Sequence, residues 1–226
     1  SFDFANLPFD NIQQIEMTRG PQGALYGSDA IGGLINIESK KPDKAFMEAG
    51  IEAGSFKTLD VGVYFGGYEK GLHYSLAYSQ FNARGISSAD SNTNPSVHEV
   101  DPYVRKSFAG RVDYEIRDNL TVGATLRNVY GWHRYDDSDP VTWALRDNDQ
   151  LIGKTNLFLY SVYVEHQQIE QYDYSIRYSY MDNFRQDFDY PAGLSDWYDG
   201  SAARFDFQNN FHILEYDIFT IGYDYI

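Results

Sequence analysis

Across residues 46–226, apolar side chains recur at every second position, and only a β-strand turns that period into one continuous face. Met47, Ala49, Ile51 and Ala53 alternate with Glu48, Gly50 and Glu52. Leu59, Val61, Val63 and Phe65 form a second run, and Leu72, Tyr74, Leu76 and Tyr78 a third. The fourth sets Phe108, Gly110, Val112, Tyr114 and Ile116 against Ala109, Arg111, Asp113 and Glu115. Leu120 to Leu126, Phe158 to Val164, Tyr172 to Tyr180, Phe205 to Phe211 and Phe219 to Tyr225 continue the pattern, giving nine strands.

The connections between these strands alternate in length. Those near residues 70, 118, 170 and 216 are tight, whereas polar stretches near 95, 145 and 195 are mostly long, the last expected to span residues 187–201. Such alternation arises when all turns of one kind lie on one side of a membrane. The strands also exceed the five or six residues usual in soluble sheets. A soluble sandwich shares the alternation but needs a dry second layer, which a face carrying Arg111, Asp113 and Glu115 would not provide.

Composition agrees with strands crossing lipid. The chain holds 20 Tyr and 15 Phe, residues that favour pleated surfaces. Mean hydropathy is only −0.50, and no apolar run approaches the roughly 18 residues of a membrane helix. A β-barrel tolerates that polarity because lumen-facing and lipid-facing residues alternate. Tyr78, Tyr114, Tyr130, Tyr180 and Tyr223 stand where interfacial girdles are expected. The absence of cysteine excludes disulfide and thiol chemistry, and a net charge of −15 excludes a nucleic-acid partner. The acidic residues are expected to be mostly solvated. The first residues show no basic and apolar leader, which implies that a leader was removed or that the chain starts mid-protein.

Residues 15–41, IEMTRGPQGALYGSDAIGGLINIESKK, depart from this pattern. Residues 15–18 read as a strand, Arg19, Gly20 and Pro21 as a turn, and residues 22–26 as one helical turn capped by Gly27. Small residues through Gly32 and Gly33 permit close backbone approach before the strand at residues 34–37. Neither a phosphate loop nor a dinucleotide fingerprint is present. Taken alone, these glycines serve turns.

This run resembles the end of the plug domain of TonB-dependent outer-membrane receptors, in its RGP motif (Arg19, Gly20, Pro21), its YG motif (Tyr26, Gly27) and its closing strand (Gly32, Gly33, Asn36). The resemblance implies an all-β chain with two parts. Residues 1–42 would end a plug, and residues 43–226 would be the N-terminal part of a transmembrane antiparallel β-barrel in the bacterial outer membrane. It further implies a receptor, not an enzyme, importing a bulky scarce ligand such as an iron-siderophore chelate or cobalamin. TonB, with its inner-membrane energising complex, would act through a box upstream of the plug. Arg19 would pair with barrel glutamates on later strands. Because a lumen able to hold a plug needs about 22 strands and single-chain barrels have even numbers, nine strands imply a fragment. The alternative is a passive porin or surface-binding barrel without energy coupling.

No catalytic motif stands out, and the five histidines are scattered singly. No cofactor is expected. Asp136, Asp137, Asp139, Asp147 and Asp149 fall within one expected loop, either as ligands for a structural calcium ion or as a solvated acidic loop. Trp132, Trp143, Tyr190, Trp197 and Tyr198 are read as loop aromatics, serving either as a ligand surface or as interfacial anchors.

Overall fold

Strand β1 (Ile12–Arg19) pairs antiparallel with β2 (Gly33–Ser39), from Ile12 against Ser39 to Arg19 against Gly33. The strand, turn and strand expected of this segment are therefore present. The computed structural model describes residues 11–21, 23, 30–87, 100–138, 141–142, 145–146, 151–189, 193–213 and 217–226. Of the expected helical turn Gly23 is described and is helical, while its other residues and its Gly27 cap lie outside the described ones. Glycine is needed at the hairpin's mouth, because Gly33 has φ +146° and a Cβ there would overlap the Thr18 carbonyl oxygen.

Nine strands form the second sheet: β3 (Phe46–Gly54), β4 (Thr58–Glu69), β5 (Leu72–Ala83), β6 (Tyr103–Arg117), β7 (Leu120–Arg134), β10 (Leu151–Ile169), β11 (Tyr172–Asp189), β12 (Leu194–His212) and β13 (Ile218–Tyr225). Each pairs antiparallel with its neighbours in sequence, and the connection from β7 to β10 carries the two-residue strands β8 (Asp137–Ser138) and β9 (Leu145–Arg146). Among the described residues, β3 and β13 are the edges of this sheet.

Register decides which side chains share a height on the wall. One outward row runs Leu72, Tyr114, Val122, Val164, Ile176, Phe207, Tyr223 across seven strands without a charge. The next holds Tyr74, Val112, Ala124, Val162, Tyr178, Phe205 and Tyr225. Val112 and Val162 are 47% and 48% exposed, as an apolar surface is only where its solvent is lipid. On the opposite face Tyr64, Ala77, Ala109 and Tyr163 are buried, with Phe46 packed against the first three.

One expected loop is corrected. Residues 187–201 do not form a long connection, since β11 continues to Asp189, β12 starts at Leu194, and Arg185 pairs with Tyr198. Beyond the bilayer both faces of a strand meet water, so alternation vanishes from the sequence while the hydrogen-bond ladder continues. β10 likewise starts at Leu151, ahead of Phe158, where the alternating run begins.

Candidate functional site

The inner face of the sheet is polar, and the end of the β1–β2 hairpin is held against it. Arg111 on β6 donates from Nη1 to the Ser39 carbonyl oxygen at 3.2 Å. Ser75 Oγ donates to the Lys40 carbonyl at 3.5 Å, and His73 Nδ1 lies 2.9 Å from the Pro42 carbonyl. Arg127 Nη2 donates to Asn11 Oδ1 at 2.6 Å, while the Asn11 carbonyl accepts the Lys40 backbone N–H at 2.9 Å. Asn11 thus closes the hairpin and ties it to the wall, and it is buried. Lys40 Nζ lies 4.6 Å from the Tyr64 ring centroid and 3.7 Å from Glu48.

His73 stands between two acceptors. Its Nε2 is 3.0 Å from Glu115 Oε1, and its Nδ1 faces the Pro42 carbonyl. Glu115 also faces Lys41 Nζ at 3.7 Å, so this carboxylate gathers a wall strand and the linker around one charge.

Next to it is the most enclosed charge among the described residues. Asp113 is 1% exposed and accepts a fork from Arg111, Nε at 2.6 Å and Nη2 at 3.2 Å, as well as the Tyr163 hydroxyl. Asp113 is an exception to the expectation that acidic residues are mostly solvated: its buried carboxylate orients the arginine that reaches Ser39. The Arg177 guanidinium stacks 4.4 Å over the Tyr163 ring and stands 3.7 Å from Glu165. Further round, Arg204 meets Asp206 at 2.6 Å and Arg185 meets Asp187 at 3.1 Å. A cavity of about 310 Å³ opens between Ser39 and the wall at Arg127, Met181 and Arg204. The inner surface is a polar lining to which the end of the hairpin is anchored.

The residues singled out by sequence scatter differently. Gly20 adopts φ +97° and donates its N–H to the Gly32 carbonyl at 3.3 Å. Asn36 donates to Glu16 at 3.3 Å and to Glu38 at 3.4 Å, across the exposed face of the hairpin. Arg19 and Pro21 are described beside them, and Tyr26 and Gly27 lie outside the described residues. Trp132 and Trp197 are not loop residues: they sit within β7 and β12, in one outward row through Lys154 and Gln186. Tyr198, one position on, points inward opposite Arg185. Trp143 and Tyr190 lie outside the described residues. So do Asp139, Asp147 and Asp149; Asp136 accepts the Ser87 hydroxyl at 3.2 Å, and Asp137 pairs with Arg146 through β8 and β9. Among the described residues no three carboxylates or histidines gather as a metal site. The anchoring set Arg111, Asp113, His73 and Tyr163 was missed, and charges recurring on a strand's second face were its only trace.

Residues 1–34 match the TonB-dependent Receptor Plug Domain. Over 143 residues the chain is 32% identical to the vitamin B12 transporter BtuB of Photobacterium profundum, covering 61% of this chain and 23% of that protein. The siderophore receptor PirA of Acinetobacter baumannii superposes with a TM-score of 0.73 at 20% identity, over 99% of this chain and 36% of PirA. The ferripyoverdine receptor of Pseudomonas aeruginosa gives 0.67 at 12% identity, over 89% of this chain and 29% of that one. These structures share the fold, and the chain spans about a quarter to a third of the relatives' lengths.

Proposed function

Because this chain belongs to the TonB-dependent receptors of the bacterial outer membrane, we propose that the whole protein imports a bulky, scarce ligand, a siderophore-bound iron or a cobalamin, with energy supplied through TonB. One observation carries this reading: the last plug hairpin is tied inside the wall by Arg111, His73, Ser75 and Arg127. A diffusion porin keeps its channel water-filled, whereas a plugged lumen passes nothing until the plug moves. The ligand classes follow from what the relatives carry, a vitamin in one and siderophores in others.

In this reading TonB and its inner-membrane complex pull on a segment upstream of the plug, and the RGP motif at Arg19 locks the plug to glutamates of further wall strands. Gly20, Pro21, Gly32 and Gly33 shape the turn that presents it. Tyr198 and the inward charges of β11 and β12 face the descending ligand.

The test is uptake by cells carrying the full-length receptor. Radiolabelled ferric siderophores and labelled cyanocobalamin are offered to cells with and without TonB. Saturable uptake of one of them, abolished without TonB, is expected. Uptake that is linear in concentration and indifferent to TonB would establish the porin instead.

A further inference from the structure

The end of the plug hairpin is tied to the wall on one side. Lys40 meets Glu48 of β3 and the Tyr64 ring of β4, while Ser75 and His73 of β5 face the Lys40 and Pro42 carbonyls. Arg111 and Glu115 of β6 meet Ser39 and Lys41, and Arg127 of β7 meets Asn11. Among the described residues, none of the hairpin or of the linker up to residue 45 bonds to β10, β11 or β12. Burial divides in the same way. Ala77 and Ser79 on β5 and Ser107 and Ala109 on β6 are buried, whereas Ser179 and Met181 on β11 and Ala202 and Arg204 on β12 are half-buried.

The cavity of about 310 Å³ between Ser39 and the wall lies on the untied side. Register arranges its lining in two rows. Thr125, Ser161, Ser179 and Arg204 follow one another across β7, β10, β11 and β12, with Thr125 Oγ1 2.8 Å from Ser161 Oγ. The adjacent row is Arg127, Leu159, Met181 and Ala202. With strands about 4.8 Å apart, the lining spans roughly 14 Å of wall. Hydroxyl and guanidinium donors thus stand beside an apolar strip, in which Met181 can adapt to more than one shape. A solute rich in carbonyl or phosphate oxygens, with one apolar side, fits such a lining. Ligand sites run from about 300 to 1,000 Å³, so this cavity is at the small end and must widen for a bulky chelate or vitamin.

We propose that the imported ligand passes between the hairpin and strands β10 to β12, along Thr125, Ser161, Ser179, Met181 and Arg204, while the hairpin stays tied to β3 to β7. This route rests on the importer reading given above. Parting the tied side breaks hydrogen bonds to arginine, and parting the other breaks none among the described residues. A pull on the plug therefore widens the cavity before it frees the hairpin. Tyr198 lies on the same inner face of β12 as Ala202 and Arg204, so one continuous surface leads from it to the cavity.

The experiment uses the full-length receptor without other cysteines, in cells with and without TonB, supplied with labelled cyanocobalamin or radiolabelled ferric siderophores, whichever the wild type takes up. Ser179→Cys and Ser107→Cys place one thiol on each side of the hairpin. A hydrophilic maleimide is expected to modify the thiol of Ser179→Cys several times faster when ligand and TonB are both present. The thiol of Ser107→Cys should react at one slow rate throughout. Ser179→Phe, which fills the cavity, should lower the maximal uptake rate severalfold without changing the dissociation constant of capture at the cell surface. Should that variant not fold, the two thiols decide alone. Faster labelling at Ser107→Cys, at both sites together or at neither would overturn the proposal, as would a folded Ser179→Phe receptor that imports normally. Uptake of no probe, or uptake indifferent to TonB, would instead refute the importer reading on which the route depends.

Discussion

The Tyr163 hydroxyl donates to the Asp113 carboxylate across an intervening strand. The two residues stand on β10 and β6, with Gly123 of β7 in register between them. A Cβ on Gly123 would occupy the place of the Tyr163 ring. The absence of one side chain thus lets an aromatic ring lie flat along the wall and complete the buried charge that orients Arg111.

Gly123→Ala should therefore act through Tyr163. The ring swings off, Asp113 loses a donor, and the barrel is destabilised by about 1 to 3 kcal/mol. Tyr163→Phe should cost a similar amount. Because both remove one interaction, the double variant should be far less destabilised than the sum. Heat conversion of the folded band of the full-length receptor measures all three, and strict additivity would mean that the two residues act separately.

Arg111→Gln strips the fork from a carboxylate that is 1% exposed, which should cost about 3 to 5 kcal/mol. It also frees the Ser39 carbonyl. Arg111→Met with Asp113→Leu removes both charges and should recover most of the wall's stability, yet leave residues 39–44 without the anchor at the Ser39 carbonyl. Hydrogen exchange of this segment should then be faster than in the wild type even though the barrel melts normally. Unchanged exchange would show that Ser75, His73 and Arg127 suffice.

Spin labels at Val112, Leu126, Val162 and Ile176 of the reconstituted receptor should be quenched by lipid-soluble reagents, and labels at Arg111 and Asp113 by water-soluble ones. The outward and inward rows require this division. Reversed accessibility at Val112 and Val162 would place the apolar rows inside.

Trp197 and Tyr198 adjoin in sequence but face opposite sides of β12. Brominated lipids should quench Trp197 emission, and Trp197→Ala should leave ligand capture unaltered. Tyr198→Ala should weaken capture severalfold in whole-cell binding, provided that the ligand descends along the inner face. The opposite ranking of the two variants would place the ligand route elsewhere.

Within the bilayer the strands were legible because one face meets lipid and the other the lumen, so Phe108 to Ile116 or Tyr172 to Tyr180 could alternate in only one way. The same contrast was absent above the membrane. There Asp187, Asp189 and Asp196 belong to strands, yet a ladder wet on both faces leaves no period, and residues 187–201 read as loop. Trp132 and Trp197 stand in the row at the membrane's edge, where the period stops, and were misplaced in loops with them.

The sequence by itself determined the nine strands, the outward faces of residues such as Val112 and Val162, and the hairpin that Gly33 makes possible, because period and backbone sterics are local properties. Tertiary structure alone decided that Arg111 reaches Ser39, that Tyr163 crosses Gly123 to Asp113, and that Lys154, Trp132 and Trp197 share a row. Those relations depend on strand register, which sums hydrogen bonds over partners dozens of residues apart and leaves no mark in any single stretch of the chain.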